Sequence, residues 1–232
     1  MIDIYYNGMR GSDIGVYASA LPSIPLAEEE VEEVTIPGRS GTLKRFTKCF
    51  KTTEISVELN FIANDVNWHE KRRQIASWLS GKNQTLSFND DSAYFYNISH
   101  VELSELKRAS LRVGNITVRF VTADGLSYMT QGLLEQDYKD ACYNPGIWCQ
   151  PIYKITGEGV CNLTVNGKVM RANVAQNITI DTGRMIAYRE DGTLMNASVT
   201  GEYEDLYLKA GENTIEITNG FTCKVTPNWR CL

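Results

Sequence analysis

This chain is predicted to be mainly β, with two domains and a single α-helix. Three observations lead to that prediction. Short runs rich in Val, Ile, Thr and Tyr recur along its 232 residues. Tight-turn dipeptides, among them Asn166-Gly167 and Asp191-Gly192, separate these runs, and both tolerate the positive φ angles of a two-residue hairpin turn. Helical spacing of apolar side chains is confined to one segment, near residues 65–79.

The N-terminal half has the features of a β-sandwich or barrel-like domain. Residues 53–61 alternate strictly between polar and apolar side chains, which is typical of an antiparallel strand with one buried face. The apolar face consists of Ile55, Val57, Leu59 and Phe61. Further strands are predicted over residues 84–88, 94–98 and 115–121, and Asp124-Gly125 ends this half.

The predicted helix runs from Asp65 to Leu79. Asn64 or Asp65 is suited to cap its N-terminus, and Gly81 suits the left-handed position after its C-terminus. Three apolar side chains fall near helical spacing: Trp68, Ile75 and Leu79. Because these side chains need an apolar partner, we expect the helix to cover the sheet of its own domain.

Residues 155–217 predict a second, hairpin-rich domain. Its turn at Asn166-Gly167 joins two runs that carry apolar residues, and Asp191-Gly192 is a second dipeptide of the kind that forms a hairpin turn. Short strands and frequent turns are typical of a small β-sandwich. Between the halves lies a segment with Gly, Gln and an Asn-Pro-Gly turn, which favours a linker. We therefore expect domains over residues 1–128 and 148–232, joined by a linker over residues 129–147.

Composition limits where the chain can act. Hydrophobic residues make up 43% and charged residues 22%, near the average of globular proteins, so bulk disorder is not expected. The first twenty residues contain no apolar core of a secretion signal, so synthesis in a cytosol is expected. No apolar run approaches the ~18 residues of a membrane helix, so membrane insertion is not expected.

Charge and cysteine spacing bear on the ligands. A net charge of −5 lacks the basic surplus of a duplex-DNA binder. The six cysteines are expected to be reduced and mostly buried, as is usual in cytosolic chains. Six residues separate Cys142 from Cys149, which does not fit the close spacing of a zinc ribbon. The sequence therefore predicts neither a metal nor another cofactor.

The sequence contains no recognisable catalytic motif. His69 and His100 stand outside the spacing that zinc proteases use. Neither a G-x-S-x-G nucleophile turn nor a G-x-x-x-x-G-K-[ST] phosphate loop occurs. We therefore expect a protein without enzymatic activity.

Several short motifs follow one another in a fixed order along the chain. In the N-terminal half they are residues 36–42 (IPGRSGT), 55–61, 72–79, 86–90 and 118–120. In the C-terminal third they are residues 155–157, 163–167, 178–181, Tyr188 and residues 211–215. Together they resemble the siphophage distal tail protein family, and the resemblance covers nearly the whole chain. It implies a galectin-like or carbohydrate-module-like C-terminal β-sandwich. One departure is Tyr203-Glu204-Asp205-Leu206, where the family often has a Phe-Pro turn.

The resemblance also implies a function. Members of the family are structural hubs at the virion tail tip, and the implied assembly is a homohexameric ring that continues the tail tube. The implied partners are the tail tube protein, the tail-associated lysin or hub protein, and receptor-binding proteins. The phage genome would pass through the ring without specific binding, and assembly would take place in the cytoplasm of the bacterial host.

The N-terminal half offers two candidate ring contacts. One is the loop that contains Pro37, Gly38, Arg39 and Gly41, whose glycines would let the backbone turn sharply and approach another chain. The other is the alternating strand from Ile55 to Phe61, which could pair or pack against a neighbour's edge.

A cluster of five acidic residues precedes this loop: Glu28, Glu29, Glu30, Glu32 and Glu33. In one interpretation they form an exposed edge that resists aggregation. In the other they line the lumen of the ring, where six copies at −5 would give about −30 and keep DNA from sticking. The sequence leaves both interpretations open.

An alternative function is a stand-alone, glycan-binding β-sandwich. The C-terminal half is rich in aromatic residues, and four are candidate glycan contacts: Trp148, Tyr188, Tyr203 and Trp229. The competing interpretation is that these side chains fill the core of the sandwich. Hexamer formation would favour the tail protein, and glycan binding by the C-terminal domain would favour the lectin-like module.

Overall fold

The computed structural model describes residues 2–64, 67–137 and 141–232. Within these residues it is mainly β with one α-helix, as predicted. The chain divides into two compact units, the first covering Met1–Ser127 with Leu232 and the second covering Tyr128–Cys231. The predicted linker boundaries at residues 129 and 147 stay a prediction. In the described part of the chain, no helix is both long and apolar enough to cross a membrane.

A curled sheet forms the first unit. The strands that begin in this unit are β1 (Ile4–Tyr6), β2 (Met9–Arg10), β3 (Val16–Ala18), β4 (Glu29–Thr35), β5 (Thr42–Phe50), β6 (Glu54–Ile62), β7 (Gln84–Phe88), β8 (Tyr94–Leu103), β9 (Lys107–Arg108) and β10 (Val113–Met129). A 3-10 turn spans Ser12–Ile14 and the helix α1 spans Trp68–Leu79. The main sheet has the order β2-β1-β7-β8-β10-β6-β3, and a bridge between Ile2 and Ala18 joins β3 to the start of β1. The sheet therefore closes on itself like a barrel, while β4 and β5 form a separate two-stranded sheet.

The core of the first unit lies inside this curl. The four apolar residues predicted for β6 are all buried, and the polar residues between them are exposed. Helix α1 contributes Trp68, Ile75, Trp78 and Leu79 to the same core. The Trp78 indole also donates a hydrogen bond to the Tyr6 carbonyl at 2.8 Å. The helix thus covers the sheet of its own unit, as the sequence predicted.

The helix begins later than predicted. Its N-cap is Asn67, whose side chain accepts a hydrogen bond from the His69 amide at 2.9 Å, while Glu70 accepts one from the Asn67 amide at 3.4 Å. These two bonds form a capping box. The predicted cap at Asn64 or Asp65 is therefore wrong for Asn64, which precedes the cap by three residues, and Asp65 lies outside the described residues.

The predicted left-handed glycine at the other end of α1 is also wrong. Gly81 does not have a positive φ angle, and a Cβ there would lie 2.9 Å from Asn7 Cγ. Side chains bond to carbonyls at this end of the helix, because Asn7 donates to the Trp78 carbonyl at 3.1 Å and the Tyr6 hydroxyl donates to the carbonyl of Gly81, two residues past the last helical residue. Gly81 thus serves close packing rather than a left-handed turn.

The second unit is built on one long hairpin. Its strands are β11 (Cys142–Asn144), β12 (Ile152–Val165), β13 (Lys168–Asp181), β14 (Ile186–Tyr188), β15 (Val199–Thr200), β16 (Gly211–Asn213), β17 (Ile215–Ile217), β18 (Thr222–Thr226) and β19 (Arg230–Cys231). Short 3-10 helices span Thr130–Leu133, Asn196–Ser198 and Tyr203–Leu206. The main sheet has the order β14-β13-β12-β17, with β15 beside β13 and β18 beside β12, and β11 pairs with β16.

The turn of the long hairpin confirms the sequence prediction. Strands β12 and β13 pair without interruption from Ile152 opposite Asp181 to Val165 opposite Lys168. Asn166 and Gly167 connect them with φ angles of 49° and 78°, as a type I′ turn requires. Apolar side chains on alternate positions of these strands form the core of the second unit.

Candidate assembly surface

The β4–β5 hairpin, residues 29–50, is a long and largely exposed element of the first unit, and we call it the arm. It contributes no buried residue to the core, and apolar side chains along it face solvent. Phe46 is 64% exposed, Leu43 50% and Val34 45%. A two-stranded hairpin is only marginally stable in water. The arm therefore has the features of a segment that is completed by another molecule.

Both faces of the arm carry apolar residues. Side chains directly opposite each other on paired strands share a face, and neighbours along a strand alternate between faces. One face carries the pairs Val31–Phe46, Glu33–Lys44 and Thr35–Thr42, and the other carries Glu32–Arg45 and Val34–Leu43. Each face thus combines one apolar pair with one oppositely charged pair, so both faces expose apolar side chains that another molecule could cover.

The acidic cluster lies at the start of the arm, and basic residues of β5 offset its charge. Glu33 pairs with Lys44 at 3.6 Å, Glu32 with Arg45 at 3.7 Å, and Glu28 with Lys51 at 3.3 Å. Residues 28–51 contain five acidic and five basic side chains, so their formal charges cancel. This pairing gives Glu28, Glu32 and Glu33 basic partners, and a role for Glu28, Glu29, Glu30, Glu32 and Glu33 in a lumen stays a prediction.

The predicted ring-contact loop forms the tip of the arm. Pro37, Gly38, Arg39 and Gly41 are all exposed. The φ angles of Gly38 and Gly41 are 81° and 85°, and a Cβ at either position would meet no heavy atom within 4 Å. These glycines therefore shape the turn rather than permit a close approach within the chain. Among the residues that the structure describes, none forms an ion pair with Arg39.

An irregularity bends the arm at its base. The pairing register shifts between Glu29 and Val31, and Lys48 has a φ angle of 61°. The Glu29 carboxylate accepts a hydrogen bond from the Lys48 amide at 3.0 Å, and the Thr47 hydroxyl donates to the Glu30 carbonyl at 2.9 Å. Bulges of this kind bend a strand and increase its twist, so the direction of the arm is fixed by local hydrogen bonds.

The second predicted ring contact, the strand from Ile55 to Phe61, has no free edge. It lies in β6, which pairs along one side with β10. On the other side β3 pairs with Leu59 and Phe61, the Ser19 amide donates to the Glu58 carbonyl at 2.8 Å, and Ser23 bridges Ser56. The expectation that this strand pairs with a neighbour's edge is therefore wrong, whereas packing of its exposed face against a neighbour stays a prediction. The barrel-like closure of the sheet uses both of its edges.

A polar groove of about 590 Å³ lies against the exposed face of β6 and β10. Its lining includes Glu58, Asn60, Glu102, Ser104, Glu105, Lys107, Asn115, Thr117 and Arg119. Glu102 lies 4.0 Å from Arg119 and 3.9 Å from His100. In the described part of the chain, Glu58 and Glu105 have no basic partner within ion-pair distance. The lining of the groove thus contains one carboxylate more than it has basic side chains, because Lys107 lies there as well as Arg119.

The four candidate glycan contacts of the second unit lie in different settings. Tyr203 and Trp229 are half-buried and pack against the core, which favours the core-filling interpretation for both. Tyr188 is half-buried at the end of β14. Trp148 stacks with Tyr207, with ring centroids 5.4 Å apart.

The Trp148 ring has a second neighbour. The Arg230 guanidinium lies 3.8 Å from the centroid of the Trp148 ring, and its Nε donates to the Trp148 carbonyl at 2.8 Å. This guanidinium occupies a face that a sugar would need for stacking. Glycan contact by Trp148 and the other three aromatic residues stays a prediction. Across the described residues, no group of three or more side chains is arranged to hold a metal ion.

Comparison with known proteins agrees with these features. A family model described as a phage tail protein N-terminal domain matches residues 1–124. Among solved structures, the chain is similar to the Dit protein of phage SPP1, described as a paradigm of the hub adsorption apparatus in phages that infect Gram-positive bacteria. The TM-score is 0.73 at 14% identity, covering 97% of this chain and 98% of that chain. At this identity the likeness concerns the fold. No curated protein sequence matches the chain.

Proposed function

Because this chain belongs to the family of phage tail proteins that share this N-terminal domain, we propose that it is the distal tail hub of a siphophage. In this proposal six copies form a ring that joins the tail tube to the host-adhesion apparatus, and the genome passes through the ring. The resemblance to distal tail proteins inferred from the sequence agrees with both the family and the fold.

The observation that carries the proposal is the arm. The first unit has a closed sheet and a well-packed core, so it has no need of the arm for its own folding. The arm nevertheless exposes apolar pairs on both faces and has a fixed bend at its base. An arm that reaches from each copy to the next makes a head-to-tail contact, and such contacts close into a ring when the rotation between copies divides a full turn.

The proposed partners follow from a ring in a tail. The ring would stack on the tail tube protein on one side and on the tail-associated lysin or hub protein on the other, and receptor-binding proteins would attach outside. The net charge of −5 per copy would repel rather than bind passing DNA. The place of action would be the tail tip of the virion, after assembly in the cytoplasm of the bacterial host.

Removing the arm tests this proposal. Replacing Val31–Phe46 with Gly-Gly keeps the pair between Glu28 and Lys51 at the base and removes both apolar faces. Sedimentation of the full chain at increasing concentration should show hexamers for the natural sequence and monomers for the shortened one. Circular dichroism and thermal melting serve as the control, because the shortened chain should keep its fold.

Two results would contradict the proposal. One is a hexamer that survives removal of the arm. The other is a tail, seen by cryo-microscopy, in which this chain forms a trimeric spike with residues 128–231 on the axis. A monomer in dilute solution decides nothing by itself, so tails assembled with their partner proteins are the reference sample.

The alternative function, a stand-alone glycan-binding protein, is tested with the same full-length chain. The aromatic pair of Trp148 and Tyr207 is the observation that bears on it, since aromatic surfaces stack on sugar rings, but Arg230 already covers one face of the Trp148 ring. A glycan array should show binding that Trp148→Ala abolishes if this function holds. Hexamer formation without any glycan signal would favour the tail hub instead.

A further inference from the structure

Two exposed features of the first unit carry charges without partners, and they have opposite sign. Arg39 at the tip of the arm has no acidic partner among the described residues, and Glu58 and Glu105 in the polar groove have no basic one. We propose that the arm tip of one copy docks into the polar groove of the next copy, with Arg39 placed between Glu58 and Glu105. The inference rests on the proposed ring and adds the surface that receives the arm.

The length and exposure of the arm place its tip against another molecule. Strand β5 contains nine residues, and at about 3.3 Å per residue it spans roughly 30 Å. Residues 32–46 are exposed on both strands, so the body of the same chain does not cover them. A tip held this far out has its partner on a neighbouring copy.

The groove matches a single arginine in charge. Its lining contains the carboxylates Glu58, Glu102 and Glu105 and the bases Lys107 and Arg119, which leaves a formal charge of −1. Since Arg119 lies beside Glu102, the two remaining carboxylates share Lys107 and can accept one further cation. A guanidinium offers five donors in a planar fork and can make two parallel hydrogen bonds to a carboxylate, so one Arg39 would bind an acid of the groove and neutralise its formal charge of −1.

The groove also fits the tip in size and polarity. Its volume of about 590 Å³ is in the range of ~300–1,000 Å³ that holds a compact ligand, which suits a tight turn but not the whole arm. Asn60, Asn115 and Thr117 are among its lining residues, and their side chains can form hydrogen bonds with the exposed peptide groups of the turn. Glycines at 38 and 41 keep the turn narrow, with open space around both.

Zero-length crosslinking tests the contact directly. Arg39→Lys keeps the positive charge and supplies an amine that a carbodiimide can join to a carboxylate. Equal amounts of this variant, one part labelled with nitrogen-15, are mixed at the concentration where rings form and then crosslinked. Mass spectrometry should find residue 39 joined to Glu58 or Glu105, with one labelled and one unlabelled peptide. Lys82, an exposed lysine outside the arm, is the internal control and should give no such pair.

Charge reversal tests the same contact in solution. Arg39→Glu should raise the concentration for half-assembly by about 10-fold or more, since it places like charges together at the contact. Adding Glu58→Arg to that variant should restore most of the loss, whereas Lys82→Glu alone should change nothing. Crosslinks from residue 39 to another surface, or normal assembly of Arg39→Glu, would overturn the docking site and leave the ring intact. If the natural chain forms no ring even in assembled tails, that result contradicts both the proposed ring and this docking site.

Discussion

Two strands that follow each other in the chain, β5 and β6, differ in their burial and in their pairing. Both contain nine residues. Strand β6 alternates between exposed and buried positions along its whole length and has partners on both edges. Strand β5 has no buried position and pairs only with β4. One strand is thus completed by its own unit, and the other is left for a partner.

This difference in burial follows from the spacing of apolar residues in the two strands. In β6 Ile55, Val57, Leu59 and Phe61 recur at every second position, which puts these four on the face that meets the core, and only Ile62 at the end of the strand is exposed. In β5 Leu43 and Phe46 are three positions apart, which puts them on opposite faces of the arm. A strand that is apolar on both faces cannot be satisfied by one sheet packed on one side. This pattern favours a segment that lies between other surfaces in an assembly.

The largest expected effect is a difference in how much substitutions in the two strands lower the free energy of unfolding. Phe61→Ala in β6 should lower the free energy of unfolding by about 3–5 kcal/mol, because it leaves a cavity in the core. Phe46→Ala in β5 should change it by less than about 0.5 kcal/mol in the monomer, because the side chain faces solvent. Urea unfolding of the monomer measures both. A large loss for Phe46→Ala would mean that the arm packs on its own unit.

Phe46→Ala, which should hardly affect the stability of the monomer, should have a clear effect on assembly. Phe46→Ala should raise the concentration for half-assembly several-fold, since apolar side chains at the centre of an interface carry much of its affinity. Comparison with Leu111→Ala provides the control, because Leu111 is also highly exposed but lies outside the arm. If the natural chain, Phe46→Ala and Leu111→Ala assemble at the same concentration, the arm is not part of the interface.

The reactivity of the cysteines should distinguish the exposed arm from the buried core of the second unit. Cys49 lies exposed in β5, whereas burial raises the pKa of Cys149 to about 12 and of Cys142 to about 11. We expect a maleimide to label Cys49 quickly and these two thiols only after unfolding. Mass spectrometry after alkylation without reductant should find no disulfide. Slow labelling of Cys49 in the monomer would contradict the exposed arm.

Raised thiol pKa values also predict a pH dependence. A thiol whose pKa is higher in the folded state stabilises the fold below its ordinary pKa of 9.0, and this stabilisation is lost as the pH rises towards the folded value. The free energy of unfolding should therefore fall between pH 9 and about 12. Cys149→Ala should reduce the steepness of this fall. An identical slope in that variant would show that other groups cause it.

The sequence predicted the elements that its local patterns determine. The alternation in β6 and the Asn166-Gly167 turn were predicted correctly because each depends on neighbours along the chain. The helix cap was missed although Asn67 and Glu70 have the three-residue spacing of a capping box. That signal was available in the sequence and points to Asn67 without any knowledge of the tertiary structure.

The assembly surface depends on contacts between residues that are far apart in sequence. The acidic cluster gains its basic partners only through the register of β4 on β5, which places Arg45 opposite Glu32. The free edge expected for β6 is absent because β3 and β10, at distant positions in the chain, take both sides. Trp148 likewise meets Tyr207, which no local pattern connects to it. Such pairings follow from the closed fold and not from spacing along the chain.

Limited proteolysis should distinguish the arm from the predicted linker. Trypsin is expected to cut first within the arm, after Arg39, because the loop at the tip is exposed to solvent. A second cut is expected between residues 126 and 148, where the sequence predicts the linker. Assembly into rings should protect the arm and leave the second site unchanged. Preferred cutting within residues 155–217 would contradict the predicted division into domains.

The smallest effect concerns the ion pairs of the arm. Glu32 and Arg45 lie 3.7 Å apart with more than half of each side chain exposed, and such pairs contribute only about 0.2–1 kcal/mol. A double-mutant cycle with Glu32→Gln and Arg45→Gln should therefore give a small coupling in the monomer, measured by urea unfolding. Repeated by sedimentation of the ring, the cycle should give a larger coupling, because a neighbour that covers the pair removes its water. Equal couplings in monomer and ring would show that this face of the arm stays in solvent, and the interface would then use only the face that carries Phe46.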